Sequence, residues 1–167
     1  MEPTETHKEF LTAYDQFADA IFRHCYFRVF NRDRAKDLMQ ETFTRVWEYL
    51  AEGKTVDNLR AFLYRVATNL IIDEARKKKA VSLETLAEEG FDPPAEDNRL
   101  AEGIDARLIL RFLKEIEPPY REVVAMRYLE GLSPKEIAAA LNENENAVSV
   151  RIHRGIKKLR IAIEHGA

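Results

Sequence analysis

The last helical stretch of the sequence carries side chains that are suited to binding DNA. Positions 147–162 contain cations and polar residues but no acid. At about 100° per residue, Val148, Ile152 and Leu159 fall on one apolar stripe. The opposite face holds Asn146, Val150, His153, Arg154 and Lys157, with Arg151, Lys158 and Arg160 beside it. Cations on such a face can meet phosphates, while amide, imidazole and guanidinium groups can reach base edges in a major groove.

A short helix and a tight turn precede this stretch. Ser133 is a good N-cap, and Glu136, three residues later, completes a capping box. Asn142 can end the short helix in the left-handed conformation, and Asn144 is the expected N-cap of the final helix. Two helices joined in this way are typical of a DNA-reading helix-turn-helix. An ordinary helical hairpin with a solvated basic face is the competing interpretation, but the capping and the lack of acids favour DNA binding.

Charge is strongly segregated along the 167-residue chain. The formal net charge of −3 argues at first against a nucleic-acid partner. However, the acids concentrate at positions 81–105, where Arg99 is the only cation, and basic residues gather at 76–79 and 151–160. Separate basic patches beside an acidic connector fit a protein whose surfaces have different partners.

Helical periodicity predicts elements on both sides of the acidic connector, and no strand pattern is present. The helices expected from this spacing span residues 10–30, 34–50, 59–79, 104–116 and 120–129. Residues 1–7 are polar and are expected to fray. The sequence therefore predicts an all-α fold of two small helical modules, residues 1–80 and 104–167, joined by a flexible acidic linker at 81–103. The second module contains the helix-turn-helix.

Composition excludes several classes of function. The single cysteine, Cys25, permits neither an internal disulfide nor a cysteine-cluster zinc site, and no cofactor is expected. The sequence has no Gly-rich phosphate loop, no clustered histidines and no nucleophile–base pair, so an enzyme is not expected. No signal peptide and no long uncharged apolar run are present. We therefore expect a cytoplasmic protein without stable membrane insertion.

Three motifs, in order along the chain, resemble those of the extracytoplasmic-function (ECF) group of sigma-70-family factors. Residues 37–43 and 45–47 resemble the family's helix that binds core RNA polymerase. Residues 61–69, followed by Asp73 and Arg76, resemble its −10-reading helix. A third set of residues resembles the family's −35-reading module: Pro118, Arg121, Tyr128, residues 131–133 and 136–138, Val148, Arg151, His153 and Arg154. The resemblance covers nearly the whole chain.

The resemblance implies a transcription initiation factor that binds core RNA polymerase and promoter DNA and has no catalytic activity. The implied polymerase-binding residues are Asp37, Gln40, Glu41, Thr44 and Glu48. Those implied at the −10 element are Arg65, Asn69, Asp73, Arg76 and Lys77. Those implied at the −35 element are Asn146, Ser149, Val150, Arg151, His153, Arg154 and Lys157. The loop at 53–58 would hold a flipped base, and an anti-sigma factor is an implied regulator.

Some features leave alternatives open. The turn reads Asn142-Glu143-Asn144, where relatives usually place an apolar residue in the middle, so we expect Glu143 to point to solvent. Asn69 could instead make a local hydrogen bond within its own helix. The competing function is a stand-alone helix-turn-helix regulator with an unrelated N-terminal module. Such a regulator would bind its site tightly without polymerase, whereas a sigma factor would need polymerase.

Overall fold

The computed structural model describes residues 4–81 and 111–166, with the side chains of the first range described as far as Lys77. The chain forms two compact units, and one described range falls in each. All regular secondary structure in these two ranges is helical, as the sequence predicts. The predicted linker and most of the helix predicted at 104–116 lie outside the described residues.

In the described residues, the first unit has three long helices, α1 (Glu5–Val29), α2 (Arg32–Ala51) and α3 (Leu59–Val81). The helix α1 begins at Glu5 because the preceding Thr4 caps it: Thr4 Oγ1 accepts a hydrogen bond from His7 N at 3.2 Å. The predicted fraying of residues 1–7 is therefore wrong from position 5 onward. Asn31 Oδ1 accepts from Arg34 N at 3.1 Å, so α2 also begins two residues earlier than predicted.

The core of the first unit is formed by the helix faces that periodicity predicted. Its buried apolar residues include Ile21, Cys25, Met39, Phe43, Val46, Leu50, Leu63, Ala67 and Leu70. His24 is also buried, and its Nε2 lies 3.1 Å from Thr68 Oγ1. The His24 ring packs edge-to-face on Tyr64 with centroids 5.0 Å apart. Buried polar groups need partners, so this contact fixes the rotation of α3 against α1.

After the helical segment that ends at position 113, the described part of the second unit has three helices and a π-helical turn. These are α4 (Pro118–Val124), the turn Ala125–Leu129, α5 (Pro134–Leu141) and α6 (Glu145–Gly166). The helix predicted at 120–129 thus begins at Pro118, because proline lacks the N–H that a first helical turn leaves unpaired. At its end the helix widens, and Glu130 N donates to Ala125 O at 3.0 Å.

Arg121 of α4 holds the chain that precedes it. Its guanidinium donates to the carbonyls of Leu113, Lys114 and Ile116 at 2.8–3.1 Å. These carbonyls belong to the described end of a helix and the turn after it, where the regular bonds between residues four apart stop. Arg121 therefore joins α4 to the preceding helical segment, which ends at position 113 rather than 116.

The helix-turn-helix is capped as predicted. Ser133 Oγ accepts from Glu136 N, and Ser133 N donates to Glu136 Oε1, both at 3.1 Å. Asn142 ends α5 in the left-handed conformation with φ 55°. Asn144 Oδ1 then accepts from Asn146 N at 2.8 Å and starts α6. These local bonds satisfy the ends of both helices and set the direction in which α6 leaves the turn.

Helix α6 packs closely on α4 at Gly155. A Cβ at this position would lie 2.6 Å from Val124 Cγ2 and 3.3 Å from Tyr120 O. Because a β-branched side chain has little rotamer freedom in a helix, Gly155→Val should force the two helices apart. We expect a loss of roughly 1–3 kcal/mol in the free energy of unfolding of the second unit, measured by urea denaturation of the full chain.

The control for this prediction is Ala147→Val, because Ala147 is exposed on the same helix. A valine there adds bulk to solvent and should change the free energy of unfolding by no more than about 0.5 kcal/mol. A Gly155→Val chain that unfolded at the same urea concentration as the parent would contradict the close packing of α6 on α4.

Candidate functional site

Three surfaces carry the residues that the resemblance singled out. The first, called the α2 surface, consists of Asp37, Gln40, Glu41, Thr44 and Glu48, all of which are exposed. The buried residues of α2, among them Met39, Phe43 and Val46, lie on the other side of the helix. The α2 surface can therefore meet a partner without disturbing the core.

One ion pair within α2 offsets part of the negative charge of this surface, because Arg45 Nε donates to Glu41 Oε1 at 3.0 Å. Thr44 Oγ1 donates to Gln40 O of the same helix at 2.9 Å. The exposed cation Arg45 was not included among the predicted polymerase-binding residues. An exposed ion pair of this kind contributes little to stability, so a partner can exchange it. Neither Asp37 nor Glu48 forms an ion pair with any residue that the structure describes, so these two carboxylates dominate the surface charge.

The second surface, called the α3 surface, consists of Arg65, Asn69, Asp73, Arg76 and Lys77, which are all exposed. Ile72 is 44% exposed on the same side of the helix. The Asn69 amide makes no hydrogen bond to any residue in the described ranges, so the alternative of a local helix bond is not observed there. A polar side chain that is exposed among cations can bind a base edge while its neighbours contact phosphates.

Contacts at the core orient the α3 surface. Thr68 faces inward to His24, and because successive helical residues are separated by about 100°, Asn69 turns toward solvent. Asn58 Oδ1 accepts from Ala61 N at 3.0 Å and caps the start of α3. The role of His24 could not be predicted from helical spacing, because its partner Thr68 is 44 residues away along the chain.

The loop between α2 and α3 places a cation over the ring of Tyr49, near the end of α2. Gly53 has φ +86°, a left-handed conformation that glycine adopts without strain. Lys54 Nζ lies 2.8 Å from Glu52 Oε2 and 4.9 Å from the centroid of the Tyr49 ring. The hydrogen bond to Glu52 raises the pKa of Lys54, which therefore stays protonated. The Tyr49 ring in turn packs on Phe62 of α3, with centroids 4.9 Å apart.

The third surface, called the α6 surface, lies on the second helix of the helix-turn-helix. Its exposed members are Asn146, Ser149, Val150, His153, Arg154 and Lys157. The orientation predicted for α6 is confirmed, because Val148, Ile152 and Leu159 are buried. Val150 is 49% exposed at the centre of the surface. An apolar side chain gains nothing there from water, but it can contact a thymine methyl group.

Two cations beside the α6 surface, Arg151 and Lys158, form ion pairs within the second unit. Arg151 Nη2 lies 2.7 Å from Glu143 Oε2 of the turn, and Arg151 is only partly exposed. Glu143 is exposed, as expected, and its carboxylate also pairs with this neighbouring cation. Lys158 Nζ lies 3.3 Å from Glu117 Oε1 and 5.0 Å from the Tyr120 ring. The predicted contact of Arg151 with phosphate stays a prediction.

Two further observations concern the described ranges only. No group of three or more His, Cys, Asp or Glu side chains is arranged there to hold a metal ion. None of the helices in these ranges combines the length and the apolar character that a membrane-spanning segment needs.

Comparison with known proteins extends these observations. Residues 13–81 match the family model of sigma-70 region 2, and residues 106–159 match that of sigma-70 region 4. The ECF RNA polymerase sigma factor SigW of Bacillus subtilis is 32% identical over 162 residues, which are 90% of this chain and 87% of SigW. The corresponding factor SigE of Mycolicibacterium smegmatis is 35% identical over 149 residues. That alignment covers 87% of this chain and 58% of SigE, so the chain spans less than two thirds of that relative.

The fold is also similar to a solved structure. The sigma factor RpoE of Bartonella quintana, determined in complex with the anti-sigma factor NepR, aligns with a TM-score of 0.73 at 18% sequence identity. The alignment covers 94% of this chain and 98% of RpoE. The fold, the two matched sigma-70 regions and the identity to SigW lead to one conclusion: the chain belongs to the ECF group of sigma-70-family RNA polymerase sigma factors.

Proposed function

We propose that this chain binds core RNA polymerase and directs transcription initiation from specific promoters, without catalytic activity of its own. The observation that supports the proposal most is that each sigma-70 region carries an exposed surface with basic and polar side chains, the α3 surface in region 2 and the α6 surface in region 4. Asn69 of the first and Arg154 of the second are exposed and make no hydrogen bond or ion pair within the described residues. Both side chains are therefore available for DNA. A factor of this kind acts in the cytoplasm, where core polymerase and the genome are.

The first unit would bind polymerase and open the −10 element. Asp37 and Glu48 of the α2 surface suit basic residues on the largest polymerase subunits. Extruding a base costs a few kcal/mol, so the α3 surface must supply compensating contacts. Asn69 would bond the edge of the unstacked base, and Arg65 and Arg76 would hold the neighbouring phosphates. The Tyr49 ring near the end of α2 and the Lys54 ammonium group of the loop after it would support the base.

The second unit would read the −35 duplex through the α6 surface. We expect Arg154→Ala to reduce promoter binding by about 1–3 kcal/mol and to relax preference at one base pair, because a bidentate arginine–guanine contact carries sequence information. Lys157→Ala should weaken all sequences alike and lower the salt slope of binding by about one, because a lysine–phosphate contact carries none. The measurement is selection of −35 sequences from a randomised promoter library by holoenzyme with each variant.

Each of these two variants is the control for the other, since both remove one exposed cation from the same face of the same helix. If Arg154→Ala selected the parental −35 sequence while Lys157→Ala selected a different one, the assignment of base and phosphate contacts along α6 would have to be reversed.

We also propose an anti-sigma factor as a regulatory partner. The support is the fold shared with RpoE of Bartonella quintana, which was solved with the anti-sigma factor NepR. Binding of a partner to the first or second unit would compete with polymerase or DNA for the surfaces described above. Co-purification of the chain from its native cells, followed by inhibition of transcription with the recovered partner, tests this point.

Promoter binding with and without polymerase distinguishes the proposal from a stand-alone regulator. A sigma factor should form a specific, stable complex with promoter DNA only when core polymerase is present. The measurement is a mobility-shift titration of the chain alone, core polymerase alone and the two together on the same fragment. Tight, sequence-specific binding by the chain alone that polymerase did not improve would favour the regulator.

A further inference from the structure

The turn of the helix-turn-helix carries an acid that the proposed −35 function does not use. Glu143 lies between Asn142, which is left-handed, and Asn144, which caps α6. Its backbone N donates to Ala138 O at 2.9 Å, so the position of Glu143 is fixed by the end of α5. Its side chain extends to α6, where Glu143 Oε2 lies 2.7 Å from Arg151 Nη2.

This contact distinguishes Arg151 from the other cations of the DNA-facing side of α6. The side chain of Arg151 is 26% exposed, whereas Arg154 and Lys157 are exposed and form no ion pair with any residue in the described ranges. The charge of Arg151 is therefore compensated before DNA arrives. A phosphate that binds Arg151 must either displace the Glu143 carboxylate or lie beside it and be repelled by its negative charge. Either way, the contact with Arg151 contributes less free energy to DNA binding.

We propose that Glu143 restrains Arg151 and thereby limits the affinity of the helix-turn-helix for duplex DNA. The proposal rests on the proposed −35 function. Binding to phosphates releases one counterion for each phosphate that the protein neutralises, so a compensated cation contributes little to the salt dependence of binding. Glu143 is in this sense a positioning residue: it determines which cations of α6 bind the DNA backbone. A chain that needs polymerase to reach its promoter gains from weak binding to other duplex sites.

The test uses Glu143→Gln in the full chain and a fluorescent duplex of arbitrary sequence, because phosphate contacts do not depend on sequence. Glutamine keeps the size of the side chain and an oxygen that can accept from Arg151, so the turn should still fold. Affinity is measured by anisotropy over a range of KCl concentrations. We expect Glu143→Gln to bind about 3–10-fold more tightly than the parent at about 50 mM salt, and its salt slope to steepen by about 0.9.

The matched control is Glu145→Gln, which removes a carboxylate two residues away in the first turn of α6. It measures the effect of losing one nearby negative charge without releasing Arg151, and we expect a smaller gain in affinity. In an Arg151→Ala background, Glu143→Gln should increase the affinity for duplex DNA no more than Glu145→Gln does. That result would show that the effect passes through Arg151.

Two results would overturn the inference. One is an unchanged or weaker affinity of Glu143→Gln, and the other is an equal gain from Glu143→Gln and Glu145→Gln. Failure of the proposed −35 function would look different, because Lys157→Ala, which removes a proposed phosphate contact, would then bind the duplex as tightly as the parent. If Lys157→Ala loses affinity and Glu143→Gln does not gain it, the DNA-binding surface stands and the restraint by Glu143 is wrong.

Discussion

Replacing Asp37, Gln40 and Glu41 together with alanine is expected to weaken binding to core RNA polymerase about tenfold or more, which corresponds to about 1.4 kcal/mol. All three side chains are exposed and none contributes to the core, so the fold should be unchanged. The reason for the loss is electrostatic: Asp37 has no cationic partner within the described residues, and Glu41 shares only an exposed pair with Arg45. The measurement is titration of labelled core polymerase with the parent and the variant, with helicity followed by circular dichroism.

A matched control is available on α1. Asp15, Gln16 and Asp19 are exposed, and they comprise two acids and one glutamine on the surface of the same unit, as the first set does. Their replacement with alanine makes the same change in net charge and should leave polymerase binding unchanged. If both triple variants lost affinity equally, the loss would reflect net charge alone, and the α2 surface would not be the polymerase-binding site.

Asn69→Ala is expected to reduce open-complex formation about tenfold or more while leaving −35 recognition unchanged. The amide is exposed and makes no bond within the described residues, so the variant removes no internal contact. What it removes is a bond to a base that has left the stack, where little water is available to replace it. Permanganate reactivity of unpaired thymines measures opening, and protection of the −35 duplex measures recognition by the other unit.

Two controls sharpen the Asn69 experiment. Gln16→Ala removes an exposed amide from α1 of the same unit and should not affect opening. A template with a pre-melted −10 region separates two roles of Asn69. If Asn69→Ala reduced transcription from this template as much as transcription from duplex, Asn69 would act in base capture rather than in strand separation. Normal opening of the duplex and normal transcription from both templates with Asn69→Ala would contradict any role for this residue.

The sequence predicted helix faces well because each face depends on spacing along one helix. The stripes of α2, α3 and α6 are buried as expected, and the capping box at Ser133 and Glu136 is present. Helix starts were predicted less well. Thr4 and Asn31 each bond a backbone N–H three residues later, and such local bonds compete with other candidate caps nearby.

Contacts between distant residues could not be read from the sequence. His24 meets Thr68 across the core, and Gly155 is required only because Val124 and Tyr120 lie against it. The pair of Glu143 with Arg151 was missed for the same reason, since the fold of the turn brings the two charges together. Each of these contacts depends on how helices pack, which helical periodicity alone does not determine.

Run-off transcription with purified core polymerase on a genomic promoter library is the most direct test that this chain directs promoter-specific initiation. We expect core polymerase with this chain to start transcription at a defined set of sites that share −10 and −35 sequences, and core polymerase alone not to do so. Asn69→Ala and Arg154→Ala should each reduce transcripts from those sites. The same non-specific transcripts with and without the chain, under conditions where the chain is folded, would contradict the account.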